Sequence, residues 1–284
     1  MKIRNPVVAG TFYPLSSEEL RRMIKDFLDK AEGSERNVMG IVSPHAGYIY
    51  CGKVAASVYK LIKKNFDTVV LLGPNHSGSG SGVATLGGIW KTPLGSVETD
   101  EDFIREITED SLIIEDFRSH VIEHSIEVQI PWLQFKFQKF KIVPITINPI
   151  YFDEESCKEI GEKIANASIK LKRKILLVAS SDFTHYGSMY GYVPFRGTSS
   201  FILKKIKEND MEVIKLIEKI MPEEVIKVCK EKNLSICGYG CIASMLFSLK
   251  KLKAEKGKLI KYSTSFEVSR NVDAIVGYAG IVIY

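Results

Sequence analysis

Three of the five histidines in this 284-residue chain follow short apolar runs. "MGIVSPHAGYIYCG" carries His45, "TVVLLGPNHSGSGSG" carries His76, and "KILLVASSDFTHYG" carries Asp182 and His185. Imidazole is the commonest side-chain ligand of late first-row metals and exchanges protons near neutral pH. Three imidazoles at equivalent points predict one shared site for His45, His76 and His185, as metal ligands or, for His185, as a proton-transfer group. Asp182 is the expected hydrogen-bond partner of His185, fixing its tautomer and raising its basicity. A thiol is the next candidate. "CGYGCIASMLF" puts Cys241 at the start of an apolar helix behind two glycines, where a helix N-terminus lowers a thiol pKa and favours metal ligation or nucleophilic attack. A small buried hydrophobe is the rival reading of Cys241. Cys237 is nearly as well placed, whereas Cys51, Cys157 and Cys229 fall in helical patterns and read as structural.

Other motifs weigh less. "RSHVIEHSIEVQIP" matches H-x-x-E-H through His120, Glu123 and His124, the signature of an inverted zincin if both imidazoles share a helix face. Pro131 and the amphipathic pattern after it instead put His120 ahead of the helix, and leave His124 and Glu127 to support a ligand shell from its start. "GPNHSGSGSG" has neither the G-K-[ST] ending of a phosphate loop nor dinucleotide spacing, so it reads as a flexible loop carrying His76. Phe12, Tyr13, Tyr48, Tyr50 and Phe183 suit either a pocket for an aromatic molecule or the core.

These residues need elements to hold them. "VMGIVS", "DTVVLLG", "KIVPITIN" and "KILLVASS" are β-branched runs apolar on both faces, as strands buried between helices are. Between them "KVAASVYKLIKK", "EVQIPWLQFKFQK" and "EESCKEIGEKIANASIKL" have helical periodicity, and "SSEELRRMIKDFLDKA" opens on a capping box from Ser16 to Glu19. Four helical patterns then lead to "LIKYSTSFEV" and "DAIVGYAGIVIY", expected as an antiparallel pair. The expected fold is α/β, a central largely parallel or mixed sheet with helices on both faces. In such sheets ligands sit beyond the carboxyl ends of the strands, where all three histidines fall. No composition break divides residues 1–284, so one domain is expected.

Composition bounds the function classes. With 45% hydrophobic and 26% charged residues the chain reads as globular, and no apolar stretch reaches the ~20 residues of a membrane span. The opening "MKIRNPVVAGTFYP" lacks a signal-peptide pattern, so a cytoplasmic protein is expected. Five scattered cysteines without C-x-x-C spacing argue against disulfides and a closed zinc site. The net charge of +5 is diffuse, and its densest run, "KKLKAEKGKLIK", reads as a solvated helix end, so no nucleic-acid partner is expected.

The order of "NPVVAGTFYP", "SPHAGYIYCGKVAA", "GPNHSG", "WKTPLGSVETD", "EHSIEVQIPWLQ", "SSDFTHYG", "GYGC" and "VGYAG" along nearly the whole chain resembles the Memo family. That family is similar in fold to class III extradiol dioxygenases, which hold a non-haem iron with two histidines and a glutamate. The resemblance implies that His45 and His76 are the metal-binding pair, that His185 is the acid/base histidine, and that Cys241 stands where those enzymes have the carboxylate. A thiolate in that place shifts preference toward copper(I), zinc or a different iron chemistry. The resulting expectation is a metal-binding protein and candidate oxidoreductase using one transition-metal ion, Fe(II) or copper with zinc as the alternative. The rivals are a non-enzymatic module for a peptide or small ligand, an active extradiol dioxygenase, and the metallopeptidase suggested by H-x-x-E-H.

Overall fold

The computed structural model describes residues 2–284. Its centre is four parallel strands apolar on both faces: β1 (Gly40–Ser43), β2 (Thr68–Pro74), β3 (Lys141–Ile147) and β4 (Ile175–Ser180). Their spatial order is β1-β4-β2-β3. Beyond β1 lies the antiparallel pair β5 (Gly257–Thr264) and β6 (Ile275–Ile283), with β6 antiparallel to β1 as well. Beyond β3 the short strand Val83–Thr85 is also antiparallel. The sheet is therefore mixed, four parallel strands flanked on each side by an antiparallel one.

Alternate residues of each strand feed two cores, because side chains leave a strand on opposite faces. Ile41, Val69, Leu71, Leu176 and Val178 point to one face, where they meet α1 (Ser17–Lys30), α2 (Tyr48–Tyr59) and the short α3 (Ile130–Lys136). Val42, Val70, Leu72, Leu177 and Ala179 point to the other, covered by α4 (Glu154–Lys170), α5 (Ser199–Glu218), α6 (Pro222–Glu231) and α7 (Tyr239–Lys251). This double burial is why these runs show no polar alternation in sequence. The caps are local. Ser16 Oγ accepts the Glu19 N–H at 3.4 Å to open α1, and Asp153 accepts the Ser156 N–H at 2.8 Å to open α4.

Two elements differ from the sequence pattern. "EVQIPWLQFKFQK" is a 3₁₀ turn, Glu127–Gln129, running into the short α3, and two of the helical patterns after residue 195 fuse into the single α5. A second, three-stranded sheet also forms, with Ile3–Arg4 parallel to Ile89–Thr92 and the latter antiparallel to Gly95–Glu98. Its two-residue strand is too short to carry a period. Among the described residues, no helix is long and apolar enough to cross a membrane.

Candidate functional site

β1, β4 and β2 lie side by side and release His45, the Asp182–His185 segment and His76 at the carboxyl end of the sheet. Together with His124, all of these line a cavity of about 570 Å³. His124 comes from the loop before the 3₁₀ turn, where no strand precedes it to mark it. One ligand atom each from His45, His76 and His124 lie within 4.8 Å of one another. The His76 and His124 rings stack, with centroids 4.9 Å apart and planes at 17°, and His45 stands edge-on to both.

Hydrogen bonds to the far side of each ring set its orientation. Ser180 Oγ gives its one proton to the Ser125 carbonyl at 2.6 Å, so Gln129 Nε2 at 2.7 Å and His45 Nδ1 at 3.1 Å must donate to it. The Nε2 lone pair of His45 then faces the site. Glu123 bonds one ring, His76, and stands within ion-pair distance of a second, His124. Its Oε1 lies 3.1 Å from His76 Nδ1 and 3.4 Å from His124 Nδ1, and accepts the His124 and Ser125 N–H groups at 2.8 Å, while Oε2 accepts the His76 N–H at 2.6 Å. On His185, Nδ1 lies 3.1 Å from the Ser235 carbonyl and donates to it, so in the neutral ring the free lone pair is on Nε2.

The partner of His185 is therefore Ser235, not Asp182. Asp182 turns instead to His45, accepting its backbone N–H at 2.9 Å through Oδ1 and placing Oδ2 4.0 Å from its Nε2. The physical reason is that Asp182 follows β4 directly whereas His185, three residues on, lies in a short strand paired with β6, so the two side chains leave the chain in different surroundings.

Burial and charge act unevenly here. Burial holds His45 well below the usual histidine range, helped by the neighbouring imidazoles, and lowers His124 against the pull of Glu123. Burial works against charge on His76 as well, but Cys237 and Glu123 outweigh it and raise its pKa to about 10. Burial would raise Glu123, yet His76, His124 and the Ser125 N–H bring it down to about 2, so it is a carboxylate. Asp182 is raised by burial, against the opposing pull of His185 and the His45 N–H.

The thiol beside the floor belongs to Cys237, with Sγ 3.3 Å from His45 Nε2. Cys241 is one helical turn further on, fully buried in the core under the sheet, and burial pushes its thiol well above the usual range. Apolar burial outweighs the helix dipole there, and the small-hydrophobe reading of Cys241 describes its surroundings. The glycine that matters is Gly238. A Cβ on it would come within 2.7 Å of Ser181 Cβ and 2.8 Å of the Ser180 carbonyl, so its absence lets residues 235–238 lie against the end of β4.

H-x-x-E-H does not form a zincin. His120 is fully buried, its Nε2 bonds the Ala84 carbonyl at 3.2 Å, and the chain from His120 to Ile126 makes no helix face that His124 could share with it. Of the five aromatics, Phe12 and Tyr50 line the cavity, with Phe12 edge-on to His124 at 4.8 Å, and are joined by Tyr190 and Tyr278. Tyr13, Tyr48 and Phe183 are core residues. Glu127 is a buried anchor. It pairs with Arg4 and accepts from Val7 N, Val8 N and Tyr13 Oη at 2.9, 3.1 and 2.5 Å, fastening the N-terminal segment against the loop that carries His124.

A family model described as Memo-like protein matches residues 4–282. A protein of Methanosarcina barkeri is 42% identical over 282 residues, covering 99% of this chain and 100% of that one. Proteins of Thermococcus kodakarensis and Pyrococcus furiosus are 41% and 43% identical over 290 residues, with 99% of each chain covered. All three carry the name MEMO1 family protein.

Proposed function

The chain belongs to the Memo family, and on that premise we propose that it binds one transition-metal ion through His45, His76 and His124, with the Cys237 thiol as a further soft donor. The observation that carries this reading is convergence: three imidazoles with ligand atoms within 4.8 Å of one another, two of them held from behind by a single ionised carboxylate. Carboxylates that fix a histidine from behind are the usual support of a metal ligand. Nitrogen and sulfur donors together suit Fe(II), copper or zinc. Bound there, such an ion would supply Lewis acidity or a one-electron couple to a molecule in the cavity.

The protein's own groups supply the rest. His185 stands at the cavity wall, and its neutral ring, held by Nδ1 on Ser235, can take a proton at Nε2 from a bound hydroxyl without losing that bond. Phe12, Tyr50, Tyr190 and Tyr278 line the cavity and offer faces for a flat organic molecule. We therefore favour a metal-dependent oxidoreductase acting on a small organic molecule. Extradiol ring cleavage is disfavoured because Glu123 is committed to two imidazoles and the adjoining donor is a thiol.

The test is metal content by elemental analysis of protein purified without oxygen and loaded in turn with Fe(II), Cu(I) and Zn(II). Wild type should hold about one equivalent. The triple His45→Ala, His76→Ala, His124→Ala variant should hold none, and His185→Ala should hold as much as wild type. Unchanged stoichiometry and affinity in the triple variant would sink the reading. Oxygen uptake by loaded protein with a panel of aromatic hydroxyl compounds then tests the oxidoreductase part, with absence of uptake at full metal occupancy counting against it.

A further inference from the structure

Behind the cavity sits a buried acid that, among the described residues, has no cation paired with it. Asp210, on α5, is fully buried, and the groups acting on it are Thr184 and Tyr262. Leaving a carboxylate in the interior without a counter-charge is costly unless hydrogen bonds fill its lone pairs. Asp210 has those bonds. Oδ1 accepts the Thr184 hydroxyl at 2.6 Å and the Thr184 N–H at 3.2 Å, and Oδ2 accepts the Tyr262 hydroxyl at 2.7 Å. Gly277 of β6 packs directly on Oδ2, where any side chain would collide.

Thr184 is the residue that joins the two segments of the site least supported by charge. Its carbonyl accepts the Gly277 N–H at 2.9 Å, and it forms a bridge with Ile236. One residue on, His185 is tied to Ser235 in both directions: its N–H meets Ser235 Oγ at 3.0 Å, Ser235 Oγ donates to its carbonyl at 2.9 Å, and its ring Nδ1 meets the Ser235 carbonyl at 3.1 Å. One residue beyond Ile236 is Cys237, with Sγ 3.3 Å from His45 Nε2. The clamp on Thr184 thus fixes His185 on one strand of the bridge and Cys237 on the other.

We propose that Asp210 is a positioning residue: through Thr184 it holds Cys237 Sγ against His45 and His185 Nε2 at the cavity wall. This rests on the metal-site reading for its spectroscopic consequence and on the metal-free geometry for its structural one. It explains why a carboxylate stands there, since a single acceptor pair must take both the side-chain and main-chain donors of Thr184 together with the Tyr262 hydroxyl. An amide in its place would lose an acceptor and turn an N–H toward one of these donors.

The experiment uses full-length Asp210→Asn, Thr184→Val and Thr184→Ser proteins, with Cys237→Ser as the reference. In the Co(II)-loaded proteins the thiolate-to-metal charge-transfer absorption reports Cys237. In the metal-free proteins, imidazole 15N chemical shifts report which nitrogen of His185 carries the proton. Asp210→Asn and Thr184→Val should lose the thiolate band toward the Cys237→Ser level, bind Co(II) about tenfold more weakly, and show His185 as a mixture of tautomers. Thr184→Ser, which keeps the hydroxyl donor, should match wild type on all three readouts, so a loss shared with Thr184→Ser overturns the proposal. Wild-type band, affinity and tautomer in both Asp210→Asn and Thr184→Val overturn it as well. If wild type itself gives no Co(II) band, the metal reading fails, and the tautomer measurement still decides the role of Asp210.

Discussion

The histidine floor is held by different physics on its two sides. Around His76 and His124 the supports are ionised and paired: Glu123 takes both rings, Arg4 donates to the Glu123 carbonyl at 2.5 Å and the His120 carbonyl at 3.2 Å, and Glu127 closes the network on Arg4. Around His45 and His185 the groups that hold each ring by its Nδ1 are the Ser180 hydroxyl and the Ser235 carbonyl, both neutral, and the nearest acid, Asp182, bonds the His45 main chain and stays 4.0 Å from the ring nitrogen. Charge-assisted hydrogen bonds are shorter and roughly twice as strong as neutral ones. The first side is thus built to stay put. On the second, His185 can gain or lose a proton at Nε2 without breaking an ion pair, as a proton-transfer group must.

The largest way to break this contrast is to strand a charge. Arg4→Ala leaves Glu127 buried without its cation and should destabilise the fold by about 3–5 kcal/mol, measured by urea unfolding; a loss under about 1 kcal/mol would mean that water replaces the guanidinium. Next is Glu123→Gln, which keeps the shape and removes the charge behind two rings. It should weaken metal binding by about 10–100-fold, read by competition with a chromophoric chelator, and affinity equal to wild type would dissolve the distinction between the two sides.

The third probe uses pH. Burial holds His120 neutral, with its pKa lowered to about 3. Because the unfolded chain binds this proton at about 6.5, the unfolded state takes up more protons between those values. Stability should therefore fall as pH drops through that window, by at most about 1.4 kcal/mol per unit from this residue. Asp210 runs the other way. Its pKa is raised to about 6 by burial, so its contribution is present below the ordinary carboxyl range and is lost as pH rises through 6. Unfolding midpoints at pH 7 and 5 should show a shallower acid loss in His120→Asn and a steeper one in Asp210→Asn than in wild type; identical slopes in all three would refute both assignments. The smallest effect is expected on the neutral side. Ser180→Ala removes one uncharged bond to His45 and should cost about 1 kcal/mol, or roughly fivefold, in metal affinity. An effect as large as that of Glu123→Gln would show that the two sides are not unequal after all.

How far residue types alone reveal the site depends on the range of each interaction. Doubly apolar strands and the loops that leave their carboxyl ends are local patterns, so the α/β sheet and the convergence of His45, His76, Asp182 and His185 on one cavity are legible from composition and spacing. His124 is not, because no strand announces it and its place depends on Glu123 folding back on two N–H groups. By the rule for helix starts Cys241 is the better thiol. The rule fails because the Thr184–Ile236 bridge, between residues 52 positions apart, draws Cys237 forward while the helix turns Cys241 into the core. Nearness in sequence matches Asp182 to His185, whereas the real partner, Ser235, is 50 residues away.

The position of β6 carries a consequence for how the molecule comes into being. This strand, the last in the chain, lies beside β1, one of the first, with Ile281 opposite Val42, and its Gly277 exchanges backbone bonds with Phe183 and Thr184 at 2.8 and 2.9 Å. During synthesis the earlier strands can find one another, but the loop bearing His185 lacks its strand partner until residues 275–283 leave the ribosome. Contacts that far apart in sequence also form slowly. The nascent protein should therefore pass through a stage with most of its sheet and no functional pocket, during which the unpaired edge of β1 is open to chaperones or to other chains.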